Sequence, residues 1–187
     1  NLDRLFKPAS VALIGASDAP STVGAVVQRN LREGSFSGPV MLVNPKHAEI
    51  DGEPCHPDVA SLPAAPDLAV VATPPETVPG IIAALGERGT KAAVVITAGF
   101  RESGAERGET LQQAMLEAAP PHLLRSVGPN CLGILNTDPA VGLDHVAVEP
   151  QRALAEAIEP DHRSHRAADQ PLDLHRAAAD LALRGLA

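Results

Sequence analysis

The sequence holds no tryptophan, no tyrosine and only three phenylalanines among 187 residues. Surfaces that bind single-stranded nucleic acid stack bases on aromatic rings, so this scarcity speaks against them. It also means that the core must be assembled from Val, Ile, Leu and Ala, a composition suited to parallel strands packed between helices. Cysteine is scarce as well. Cys55 and Cys131 make no disulfide framework, and neither has metal-ligand spacing, which fits a reduced, cytoplasmic compartment. Lys and Arg are outnumbered by Asp and Glu, and the net charge of −8 argues against broad binding to a phosphate backbone while favouring solubility. No apolar run approaches the ~20 residues needed to cross a bilayer. The opening Asn1-Leu2-Asp3-Arg4 does not read as a signal peptide, and without an initiator Met the natural start stays open. Neither a nucleic acid nor a membrane is expected as a partner.

What the sequence does have is a regular alternation of short apolar runs and amphipathic stretches through about Thr137. Ser10–Ile14, Val40–Val43, Leu68–Ala72, Ala92–Ile96 and Leu124–Val127 read as buried strands. Between them, Ser21 and Thr22 can cap a helix with Val23, Val26, Val27 and Leu31 on one face. Pro75 and Glu76 suit the first turn of a second helix whose buried stripe is Val78, Ile81, Ile82 and Leu85. A third helix buries Leu111, Ala114, Met115 and Ala118, with Glu102, Glu106 and Glu109 on its wet N-terminal face. The Pro- and Gly-rich stretch from Asp51 to Pro66 is expected to hold a short strand or turn and a brief helix around Val59–Leu62. Strand, helix and strand repeated with short connections predict a Rossmann-like, doubly wound α/β fold: a mainly parallel sheet with helices on both faces.

In such sheets ligands bind beyond the carboxyl ends of the strands, and the unusual residues fall there. Gly15-x-Ser17 followed by Thr22-Val23-Gly24 places small residues where a phosphate would meet free helix N–H groups, although the spacing is not that of the dinucleotide fingerprint. A tight turn needing small residues for packing is the plainer alternative. The second strand ends in Asn44-Pro45-Lys46, where an NAD-binding fold carries an acid for the ribose hydroxyls. A cation in that place favours an extra ribose phosphate, as in CoA or NADP, unless Lys46 is simply a solvated surface lysine. Thr73-Pro74-Pro75 makes a stiff turn able to flank a ring or chain. Thr97-Ala98-Gly99 offers a hydroxyl and accessible backbone, and Asn130 can donate and accept, while Cys131 reads as a small hydrophobe. No nucleophilic triad emerges, no catalytic residue is assigned, and no metal is expected. The pair His162-x-x-His165 beside Asp161 belongs to a polar stretch without the geometry of a metal site.

Taken in order, Leu5-Phe6-x-Pro8-x-Ser10-Val11, Gly15-Ala16-Ser17, Asn44-Pro45-Lys46, Ala72-Thr73-Pro74-Pro75-Glu76, Ile96-Thr97-Ala98-Gly99-Phe100 and Gly128-Pro129-Asn130-Cys131-Leu132-Gly133 resemble the CoA-binding domain of the NDP-forming acyl-CoA synthetases. That superfamily includes the ADP-forming acetyl-CoA synthetases, the succinyl-CoA synthetase alpha subunit and protein acetyltransferases that fuse the module to a GNAT domain. The resemblance covers roughly residues 2 to 137. It implies that Gly15, Ser17, Val23 and Gly24 hold CoA phosphates and Lys46 the nucleotide end. It further implies that Thr73 and Pro74 flank CoA or acyl-CoA, with Thr97, Ala98, Gly99 and Asn130 near the pantetheine arm and thiol. Complete relatives convert acyl-CoA, ADP and phosphate to acid, CoA and ATP through a phosphohistidine on a flavodoxin-like domain, with the nucleotide on an ATP-grasp module. Neither module is recognisable here, so the chain is expected to be inactive alone and to need an ATP-grasp partner.

One domain is therefore expected, a CoA-binding Rossmann-like domain over 1–137, followed by an atypical Ala-, Arg- and His-rich tail over 138–187 to which no domain is assigned. The tail lacks the Ser-Gln-Ser-Gly-Ala-type continuation of the relatives, as an internal deletion, a shifted reading frame or a different tail would explain. Two other readings fit the same residues: an NAD(P)-binding oxidoreductase or redox-sensing domain, and a stand-alone CoA-binding regulatory module.

Overall fold

The computed structural model describes residues 2–34, 36–134, 136 and 141. The expected tail over 138–187, with His162 and His165, lies outside the described residues apart from Val141.

The apolar runs form the strands β1 (Val11–Ile14), β2 (Val40–Val43), β5 (Leu68–Val71), β6 (Ala92–Val95) and β7 (Arg125–Val127). Of two further short strands, β4 (Glu53–His56) falls in the stretch from Asp51 to Pro66 where a short strand or turn was expected, and β3 (Glu49–Ile50) lies just before it. The sheet order is β3-β4-β2-β1-β5-β6-β7, and every neighbouring pair is parallel except β3 with β4. The doubly wound, mainly parallel fold is thus present. Asp51 and Gly52 both have positive φ at the tip of the β3–β4 hairpin, the backbone that a two-residue turn matched to strand twist demands.

Because β1, β5 and β6 are buried along their whole length, each strand feeds two cores. On one face Val11, Leu13, Leu68, Val70 and Val94 meet Val27 and Leu31 of α2 (Val23–Glu33) and Leu5 of the short helix α1 (Leu2–Phe6). On the other, Ala12, Ile14, Ala69, Val71 and Val95 meet Val78, Ile82 and Leu85 of α3 (Val78–Glu87) and Met115 of α4 (Glu106–Ala118). Each such fully buried Val, Leu or Ile contributes about 1.5–3 kcal/mol of transfer free energy. Thr22 caps α2 as expected, its Oγ1 accepting from the Ala25 N–H at 3.2 Å. The buried stripe of that helix is Gly24, Val27, Gln28 and Leu31; Val23 and Val26 are only half-buried. Gln28 donates to Asp51 at 3.2 Å, and Arg32 pairs with Asp51 and Glu53 at 2.8 and 3.0 Å, so α2 grips the hairpin.

Three local expectations are corrected. Val59–Leu62 forms no helix; it is a turn closed by the Ser61 N–H donating to Asp58 Oδ1 at 2.8 Å, with Val59 and Leu62 buried in the core. The short side chain of Asp58 competes for backbone N–H groups and favours the turn. Pro75, Glu76 and Thr77 form a separate 3-10 turn ahead of α3 rather than its first turn. Glu102 sits in another 3-10 turn (Arg101–Ser103) rather than on α4, and its Oε1 accepts from the Gly99 and Phe100 N–H groups at 2.7 and 3.1 Å.

The Leu5 to Ser10 stretch acts structurally. Arg4 pairs with Asp67 at 2.6 Å, the same carboxylate accepts from the Ala9 N–H, and Ser10 Oγ accepts from the Asp67 N–H. Together these contacts tie the chain before β1 to the entry of β5. Among the described residues no helix is long and apolar enough to cross a membrane.

Candidate functional site

The strand register brings the loops to one level. Ile14 lies opposite Val43 on one side and Val71 on the other, and Val71 lies opposite Val95. Hence the chain leaves β1 at Gly15, β2 at Asn44, β5 at Ala72 and β6 at Ile96 along a single edge. β1 is also where the chain order reverses: β2 follows to one side and β5 to the other. Such a switch point opens a crevice. A cavity of about 870 Å³ lies there, large enough for a nucleotide-sized ligand.

Gly15, Ser17, Val23, Gly24, Lys46, Thr73, Pro74, Thr97 and Ala98 all line this cavity. Gly99 and Asn130 do not. Gly99, at φ +99°, is packed against Pro75, which would stand 3.1 Å from any Cβ added there. Asn130 instead stitches two loops together, its N–H donating to the Thr97 carbonyl at 2.9 Å. Sequence reasoning missed the wall from Pro57 to Ala60 and the part of α3 formed by Gly80, Ile81 and Ala84, which also line the cavity. The small residues at 80 and 84, one turn apart on the solvent side of the predicted stripe, were the available signal.

Close packing explains the glycines at the β1–α2 turn. Gly15 has φ +96°, and a Cβ there would fall 2.3 Å from the Ala72 carbonyl oxygen. With the backbone this close and Thr22 Oγ1 already serving the Ala25 N–H, the N–H groups of Val23 and Gly24 are left without helical partners at the positive end of α2. They meet the same cavity as Gly15 and Ser17. Small residues, free N–H donors and a helix N-terminus together make a cradle that an anionic phosphate fits.

The neighbouring loops are held rigid by side chains directed at backbone. Asn44 donates to the Ala16 carbonyl at 2.7 Å and accepts from the Lys46 N–H at 2.9 Å, which fixes the turn that presents the exposed Lys46. The Thr97 hydroxyl donates to the Thr73 carbonyl at 2.8 Å, so it braces the β5 and β6 loops rather than standing free. Thr77 in turn bonds to Thr73 Oγ1 at 2.9 Å. Asp51 is committed to Gln28 and Arg32 and does not line the cavity.

Charge at the cavity is mixed. Asp58 on the missed wall is held below the usual carboxylate range, chiefly by the Ser61 backbone N–H. Cys131 is half-buried with Sγ 3.3 Å from the Val95 carbonyl oxygen, and burial pushes its thiol up; Cys55 is buried and shifted the same way. Both thiols are therefore held in the weakly nucleophilic, protonated form. No group of His, Cys, Asp and Glu among the described residues could hold a metal ion.

Comparison with known proteins bears on this site. The profile of the CoA binding domain family matches residues 9–137. The chain is 42% identical over 151 residues to the ADP-forming acetate–CoA ligase I of Archaeoglobus fulgidus, a match covering 81% of this chain and 22% of that protein. It is also 42% identical over 130 residues to the ADP-forming acetate–CoA ligase of Methanocaldococcus jannaschii, covering 70% and 18%. Among solved structures it resembles the apo dinucleotide-forming acetyl-coenzyme A synthetase 1 of Ca. Korarchaeum cryptofilum, with a TM-score of 0.69 and 38% identity over 76% of this chain and 30% of that one. The chain thus spans about a fifth of the length of the two curated relatives.

Proposed function

The chain belongs to the CoA-binding domain family, and from that premise we propose that its cavity binds CoA or acyl-CoA as the CoA-carrying part of an NDP-forming acyl-CoA synthetase. One observation carries the reading: the phosphate cradle at Gly15, Val23 and Gly24 opens into the same cavity as Lys46, at the end of a second strand with no acid.

The sheet order gives the proposed ligand a direction. Moving along the edge from β4 to β6, the cavity passes the Pro57–Ala60 wall, Lys46, the cradle, Thr73 and Pro74, then Thr97 and Ala98. A CoA laid along this path would set its 3′-phosphate near Lys46 and its diphosphate on the Val23 and Gly24 N–H groups. The pantetheine arm would run past Pro74 toward Ala98, with Gly99 and Asn130 supporting that end from behind. In this reading the chain's residues bind and orient CoA, and no residue here performs the acyl chemistry. An ATP-grasp module would supply nucleotide chemistry as a partner subunit or domain, and the working compartment would be the cytoplasm.

The test is calorimetric titration of the 187-residue chain with CoA, acetyl-CoA, NAD and NADP. CoA and acetyl-CoA should bind and NAD should not. NADP binding as tightly as CoA would favour the oxidoreductase reading instead. ATP-dependent formation of acetyl-CoA by this chain alone would overturn the assignment of a purely CoA-carrying role.

A further inference from the structure

The wall formed by Pro57, Asp58, Val59 and Ala60 is short and irregular, yet it lines the same cavity as Gly80, Ile81 and Ala84 of α3. What fastens it to the end of α3 is a side chain outside the cavity lining. Arg88 caps the C-terminus of α3, and its guanidinium reaches across to the turn. One terminal nitrogen donates to the Ala60 carbonyl at 2.7 Å and the other to the Leu62 carbonyl at 2.6 Å. The Nε of the same group is buried without a partner among the described residues. Leaving a guanidinium N–H unsatisfied is unfavourable, so the fork is held where it is by the two carbonyls. The rigid planar fork suits Arg for spanning two acceptors at fixed spacing.

One helix thus contributes twice to the cavity. Its Gly80, Ile81 and Ala84 line the cavity directly, and the Arg88 that caps it braces the 57–60 wall. We propose that Arg88 is a positioning residue for the nucleotide end of the bound CoA, holding the 57–60 wall of the cavity in place against the end of α3. This inference rests on the CoA reading above. Val59 and Leu62 are anchored independently in the core beside Ile82 and Leu85, so loss of Arg88 would loosen the wall and leave the fold in place.

The expected signature is selective. In titrations of the 187-residue chain, Arg88→Ala should weaken CoA and adenosine 3′,5′-bisphosphate by about tenfold, since a loosened wall must be re-ordered on binding. Binding of 4′-phosphopantetheine, which reaches the cradle and the β5–β6 loops, should stay within about twofold of wild type, as for a site not coupled to the change. Arg88→Lys, able to reach one carbonyl, should fall between. Hydrogen exchange supplies a readout independent of ligand: the Ser61 and Leu62 amides should exchange faster in Arg88→Ala. Equal weakening of all three ligands, or none, would overturn the proposal, as would unchanged exchange. Faster exchange in a chain whose wild type ignores both CoA and adenosine 3′,5′-bisphosphate would instead overturn the CoA reading, and with it the role of Arg88 in affinity.

Discussion

A Cβ added to Gly24 would lie 1.9 Å from the carbonyl oxygen of Gly15, so the first turn of α2 rests directly on the backbone leaving β1. No side chain fits between them, and the closeness keeps the N-terminus of α2 beside the cavity that Gly15, Val23 and Gly24 line. Gly24→Ala must push the helix away from the strand. The expected cost is about 1–3 kcal/mol of stability, the range for overpacking a tight site. Urea denaturation measures it, and CoA affinity should fall in the same variant. A variant as stable as wild type would mean that the turn relaxes freely.

Lys46 is exposed at the mouth of the cavity on a turn fixed by Asn44. If it meets a CoA phosphate, the contact is worth roughly 1–3 kcal/mol. Lys46→Ala should then weaken CoA binding by about ten- to a hundredfold, with the difference shrinking as salt is added. Dephospho-CoA should bind the two proteins nearly alike if the 3′-phosphate is the partner. Equal CoA affinities at low salt would mark Lys46 as an ordinary solvated lysine.

Glu102 closes the loop after β6 by accepting from two successive backbone N–H groups. Removing the acceptor in Glu102→Ala should cost about 1–2 kcal/mol, given charged hydrogen bonds at an exposed carboxylate. Glu102→Gln keeps one carbonyl oxygen in place and should lose less than half of that. Chemical denaturation of both variants checks the ordering. An alanine variant as stable as wild type would show the bonds to be without consequence.

Burial raises both thiols, so alkylation of the folded chain should be slow near neutral pH. Only the thiolate reacts. Because the folded-state pKa lies above the unfolded one, the thiolate fraction near neutral pH should be lower in the folded protein, and labelling by iodoacetamide slower than in denaturant. The rate should climb as the pH rises toward the shifted values. Rapid labelling of native Cys131 at neutral pH would contradict the packing of its Sγ against the Val95 carbonyl.

The sequence by itself determined the main strands, because runs such as Val11–Ile14 and Ala92–Val95 have no polar face and are stable only between two layers of helix. It also determined the edge on which the cavity lies, because parallel strands with right-handed crossovers send all their exits the same way. Local chemistry that competes on short range was less readable. The Asp51-Gly52 pair was a visible hairpin signal, whereas Val59 and Leu62 suggest a helix only until Asp58 takes the Ser61 N–H. The tertiary structure alone decided which loop residues face the cavity. Thr97 spends its hydroxyl on Thr73, Gly99 turns to Pro75, Asn130 holds the Thr97 carbonyl, and Arg88 reaches a turn some 28 residues away. Each of these contacts joins segments distant in sequence, and their partners depend on sheet register and helix packing, which no local pattern of residues encodes.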